Sequence, residues 1–162
     1  MKRIDGTFAI AGVSAVICFG LFITPAIAHH SFAMYDQSKT MTLTGVATQF
    51  VAQANHAELH FVPLGSDGKP MRGSDGKPIV WGVEMAGAAA VAQQGITAKT
   101  FPAGTMFSVK LNPLRDGSNF GSRVGAIAKC PMTAEGKPAA MPAAGKHCDS
   151  VPGNQLLGGT EF

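Results

Sequence analysis

The chain carries little net charge of either sign. Its 13 Lys and Arg against 10 Asp and Glu leave a formal +3 at pH 7. No basic stripe with interleaved aromatics accompanies that weak bias, which argues against a nucleic-acid footprint. Cysteine is scarce, with three in all. No strand-turn-helix nucleophile elbow, phosphate loop or paired-carboxylate signature occurs. The Gly-rich patches read as hairpin turns rather than phosphate cradles. Ser31 stands beside His30, but adjacency in sequence does not build a catalytic triad. These absences favour a binding module over an enzyme, with redox chemistry at a bound copper as the one route to turnover.

A membrane-length apolar run is also missing. Residues 8–23 are almost wholly apolar, yet the run falls short of the roughly 20 residues a spanning helix needs. Lys2 and Arg3 precede it, Pro25 breaks the chain after it, and Ala26-Ile27-Ala28 follows. Positive start, apolar middle and small-residue site make up the layout of a cleavable secretory signal. The layout predicts export to the periplasm or medium, a mature chain starting at His29, and membrane contact only through the signal should it stay attached. Cys18 would leave with the signal. The two remaining cysteines, Cys130 and Cys148, are expected to pair in an oxidising compartment. The short loop so closed is worth about 3 kcal/mol in the chain-entropy view. A zinc site from Cys130, His147 and Cys148 fits no common finger spacing and lacks a fourth ligand.

What the mature chain does contain is β-patterned. Residues 41–52 are rich in β-formers, with Gly45 suggesting a bulge or sharp bend. Residues 56–62 alternate, placing His56, Glu58 and His60 on one face and Ala57, Leu59 and Phe61 on the other. Two copies of Gly-Ser-Asp-Gly-Lys-Pro, at 65–70 and 73–78, read as a duplicated hairpin loop. Residues 79–85 return as a strand with Trp81 as a core anchor. Residues 86–94 form a short Ala-rich helix stopped by Gly95. Strands at 105–111 and 120–129 follow. Beyond Cys130 the composition turns to Pro, Ala, Gly and Lys without periodicity, predicting a mobile tail pinned once by the disulfide. The expected organisation is a signal at 1–28, an arm at 29–40, a barrel at 41–130 and a tail at 131–162. The order β-β-β-α-β-β predicts a mainly β fold, a small five-stranded barrel of the oligonucleotide/oligosaccharide-binding (OB) type. That fold hosts many functions and implies none.

Several residues together resemble a family of small exported bacterial proteins known only as domain of unknown function 6152. They are His29-His30-Ser31-Phe32, Thr42-Leu43-Thr44-Gly45, Asn55-His56, Trp81 with Glu84, Pro102-Ala103-Gly104 and Pro113-Leu114-Arg115-Asp116-Gly117. No single motif is specific, but their order and spacing are. This chain has Ala54-Asn55-His56 where the family has Asn-Pro-His. The resemblance implies export and a fold, and no activity.

All five histidines lie after the predicted cleavage point, four of them between His29 and His60. An N-terminal His offers a free amine and an imidazole to one ion. An α-amino group ordinarily titrates at about pH 8 and is open to deprotonation by a metal. That nitrogen-rich donor set suits Cu(II). His29 is therefore the first expected ligand, with His56 the best third nitrogen and His60 and His30 the reserves. His56 and His60 are separated by about 13 Å along an ideal strand, so both reach one ion only if the strand bends. Glu58 is expected to orient an imidazole, and Met34 is the nearest soft ligand in sequence. Arg115 and Glu84 form a second candidate, either as an ion pair across the barrel or with Arg115 receiving an anion; the plain reading of Arg115-Asp116-Gly117 is a turn. Two functions follow. One is copper carriage, buffering or sensing. The other is a metal-free envelope module that binds a protein, a glycan or a small ligand through the barrel face or the 63–78 loop.

Overall fold

The computed structural model describes residues 32–159. The predicted signal and cleavage site, His29 and His30 lie outside the described residues. Six strands and one helix carry the fold: β1 (Met41–Ala52), β2 (His56–Pro63), β3 (Trp81–Ala86), α1 (Ala88–Gln93), β4 (Met106–Pro113), β5 (Phe120–Lys129) and β6 (Gln155–Leu157). β1 pairs antiparallel with β2 through its second half and with β4 through its first half. β2 pairs with β3, β4 with β5, and β3 closes on β5 in parallel. The result is a closed five-stranded mixed barrel with the OB order, as the element sequence predicts.

β1 can serve both neighbours because it bends. The pairing slips between Ala47 and Gln49, marking a bulge. Gly45 sits where β2 crosses most closely; a Cβ there would stand 2.6 Å from Phe61 Cδ2 and 2.6 Å from the Val62 carbonyl oxygen. The expected bend at this glycine is thus present, and the bulge lies just after it.

The alternation in β2 sorts its side chains. Ala57, Leu59 and Phe61 are fully buried, whereas His56, Glu58 and His60 remain half-exposed on the outer face. The interior is filled from Val83 and Met85 on β3, Val91 on α1, and Phe107, Val109 and Leu111 on β4. Phe61 and Phe101 both meet Phe107 edge-on, with centroids 5.1 and 5.6 Å away. Trp81 packs against this core but is only partly buried. α1 closes one end of the barrel with Val91. Its C-terminus is a Schellman turn, in which Gly95 N–H donates to the Ala92 carbonyl and Ile96 N–H to that of Val91. Gly95 adopts φ +80° there.

The tail differs from expectation. The Cys130–Cys148 disulfide forms, but it is one of several attachments. Met106, Ala128, Cys130, Cys148 and Val151 make a second buried cluster on the outside of the barrel. β6 adds an antiparallel strand to β5. A third hairpin of the duplicated type also appears. Gly65 and Gly73 donate N–H to the carbonyls of Lys69 and Lys77, both at 2.9 Å, and Thr133 donates to that of Lys137 at 2.7 Å. Gly68, Gly76 and Gly136 hold the same left-handed φ, +73°, +75° and +74°. The sequence hides this third copy because Thr133-Ala134-Glu135 stands where the others have Gly-Ser-Asp.

Candidate functional site

The outer face of β2 and β3 gathers the chemistry. Glu58 and Glu84 are register partners, and His60 stands opposite Gly82. Each histidine takes a carboxylate. His60 Nε2 is 2.8 Å from Glu58 Oε2, along its own strand face, and His56 Nδ1 is 3.3 Å from Glu84 Oε1, diagonally across the pair. Gly82 is needed for this face, since a Cβ there would run into the Phe120 ring. Phe120 instead lies over the bare backbone, its centroid 6.5 Å from that of His60.

The arm closes over the same face. Tyr35 bridges to Leu114, Asp36 N–H donates to the Pro113 carbonyl at 2.8 Å, and Arg115 N–H to that of Met34 at 3.0 Å. Arg115 Nε donates to the Ala33 carbonyl at 3.0 Å. The 113–117 loop is therefore a clamp on the arm. Asp116 also makes the turn read from its sequence, accepting Ser118 N–H at 2.8 Å; that bond holds its carboxyl below the usual range. Glu84 does not meet Arg115 in a salt bridge among the described residues. Its partners are His56 and the hydroxyl of Tyr35. Tyr35 is 2% exposed. Burial, then the charge of Glu84 and the hydrogen bond to it, push the phenol well above its ordinary value.

One carboxylate thus joins the arm to the imidazole. Sequence reasoning overlooked Tyr35, whose only signal was its position as the single tyrosine, in an arm without periodicity. It placed His56, Glu58 and His60 together on one face and anticipated Glu58 as an imidazole partner. Met34 is exposed. The described residues contain no group of three or more His, Cys, Asp or Glu arranged to hold a metal ion. His147 lies apart, on the tail, with Nδ1 2.8 Å from Thr44 Oγ1.

The fold and this face define a small OB-type barrel with a histidine–carboxylate patch across its second and third strands, beneath an N-terminal arm. The chain belongs to a family of unknown function, domain of unknown function 6152, whose family model matches residues 16–123. The match covers the second half of the signal-like run, the arm and most of the barrel, and ends before the disulfide and tail. No curated protein and no solved structure matches the chain.

Proposed function

We propose that this is an exported binding module that takes up copper(II) at its mature N-terminus, with His29 supplying amine and imidazole and His56 a third nitrogen. The observation that carries the reading is the shared carboxylate of Glu84, which meets both Tyr35 of the arm and His56 Nδ1. A carboxylate beside Nδ1 orients an imidazole for ligation through its other nitrogen, the carboxylate–histidine–metal arrangement common to such sites. Three residues, 29–31, stand between the predicted cleavage point and the 3-10 turn at Phe32–Met34, and an extended segment of that length spans on the order of 10 Å. His60, bonded to Glu58, and His30 are the reserve donors. The role is carriage, buffering or sensing rather than turnover. The export layout of the sequence and the Cys130–Cys148 bond both suit the periplasm or the medium.

Edman sequencing and metal analysis of protein purified from the periplasm test the reading. A start at His29 with near-stoichiometric copper is expected. His56→Ala should weaken Cu(II) binding about tenfold or more by titration calorimetry; unchanged affinity would end the assignment. A metal-free role in binding a protein, glycan or small ligand is the second reading. It is favoured by the bonds that already engage both barrel histidines and by the projecting hairpins, whose Lys69 and Lys77 are 82% exposed. A blocked terminus or metal-free protein would select it.

A further inference from the structure

A second site stands at the start of β1 and shares no residue with the histidine–carboxylate face. The first hairpin and the tail segment 141–147 face each other across the start of β1 and enclose a half-open cavity of about 190 Å³. Its walls include Leu64, Ser66, Met141, Lys146 and His147, with Thr44 on the floor. Among the described residues no carboxylate lines it, and the ammonium of Lys146 is its one formal charge.

Three hydrogen bonds run in a chain beneath the cavity. Cys148 N–H donates to Ser108 Oγ at 2.8 Å. The Ser108 hydroxyl, in a residue 4% exposed, has one other hydrogen-bond neighbour among the described residues, Thr44 Oγ1 at 2.6 Å. A buried hydroxyl hydrogen without an acceptor is costly, so Ser108 donates to Thr44. Thr44 Oγ1 stands 2.8 Å from His147 Nδ1. With Thr44 donating to Nδ1, the neutral ring carries its hydrogen on Nε2. That nitrogen has no hydrogen-bond partner among the described residues, and the ring lines the cavity. The chain of bonds thus runs from a backbone amide in the disulfide-held turn to the ring that lines the cavity.

We propose that this cavity binds a small amphiphilic carboxylate, its head taken by His147 Nε2–H and the Lys146 ammonium and its tail laid against Leu64 and Met141. An N–H donor and a cation with no competing acid select an anionic acceptor. The apolar wall selects a ligand with a short hydrocarbon part, as small-molecule sites commonly do. The site shares no residue with the copper reading and stands or falls without it.

Hexanoate is a suitable probe, with hexanol keeping the tail and acetate keeping the head. In amide and imidazole NMR titrations of the mature protein, hexanoate should give saturable shifts at Ser66, Met141, Lys146 and His147. It should bind about tenfold or more tighter than either control. Lys146→Gln, at an exposed position, should weaken it about fivefold. Thr44→Val leaves His147 in place but removes the donor to Nδ1. It should redistribute the ring tautomers in long-range 15N spectra and weaken hexanoate by a similar factor. Equal binding of hexanol and hexanoate would overturn the anionic assignment. Acetate binding as tightly as hexanoate would overturn the apolar subsite. A wild-type ring protonated on Nδ1 would overturn the relay.

Discussion

Removing one oxygen from Tyr35 tests how the arm is held. In Tyr35→Phe the ring still fills its buried place beside Leu114, but the hydrogen bond to Glu84 is gone. Hydrogen bonds to charged groups contribute about 1.5–3 kcal/mol. The variant is spared the burial of a hydroxyl, so a net loss of about 2 kcal/mol near pH 8 is expected. The same bond makes stability depend on alkaline pH. The folded phenol ionises above its ordinary value because burial, followed by the charge of Glu84, opposes a phenolate. Its contribution is therefore complete below about pH 10, where the unfolded phenol titrates, and is lost as pH rises towards the folded value. Urea unfolding of both proteins at pH 8 and pH 11 should show a gap that shrinks at the higher pH. The chain has a single tyrosine, so phenolate absorbance near 295 nm reports this side chain alone. In the wild type that absorbance should appear only with unfolding. A native-state phenolate titrating near pH 10, or a gap unchanged between the two pH values, would refute the buried Tyr35–Glu84 bond.

Other perturbations have equally definite outcomes. The Asp36 carboxyl is lowered to about 2 by the Ser38 hydroxyl, which donates to Oδ1 at 2.6 Å, and then by Lys39. Its contribution is present above the ordinary carboxylate value and disappears as pH falls towards 2. Ser38→Ala should raise the Asp36 titration midpoint in carbon-detected NMR, and an unmoved midpoint would count against that hydroxyl as the main cause. Gly45→Ala places a methyl against Phe61 and the Val62 carbonyl and should cost about 2–3 kcal/mol in urea melts, since neither backbone nor packed ring can give way freely. Replacing Cys130 and Cys148 together with Ala removes a bond between residues 18 apart in sequence. The double variant should lose about 3 kcal/mol, with hydrogen exchange accelerating first at β6 and the 130–148 segment.

Local pattern made the strands legible and left their closure dark. The alternation of residues 56–62 states which side chains face in, and the apolar partners Leu59 and Phe61 are buried as it requires. The parallel contact of β3 with β5 joins Gly82 to Phe120. It leaves only one local trace, a glycine where a side chain would collide with the ring. The tail misled for a related reason. Its attachments are short and long-range, such as Cys148 N–H to Ser108 and the three-residue pairing of β6 with β5, and none imposes a period on the sequence.

The candidate site follows the same division. A strand face displays its own residues, so His56, Glu58 and His60 could be grouped from spacing alone. What connects them to the rest of the molecule is cross-chain. Pairing Arg115 with Glu84 rested on opposite charge. In the barrel a carboxylate on β3 finds nearer donors in His56 and Tyr35, while the guanidinium reaches the Ala33 carbonyl. Both residues still act on one object from different sides. Arg115 holds the backbone of the arm, and Glu84 holds its phenol and the adjacent imidazole. The segment Pro113 to Gly117, which reads as a surface turn, thus seats the arm through Met34, Ala33 and Asp36. Loss of the Arg115 guanidinium should loosen the arm without touching His56.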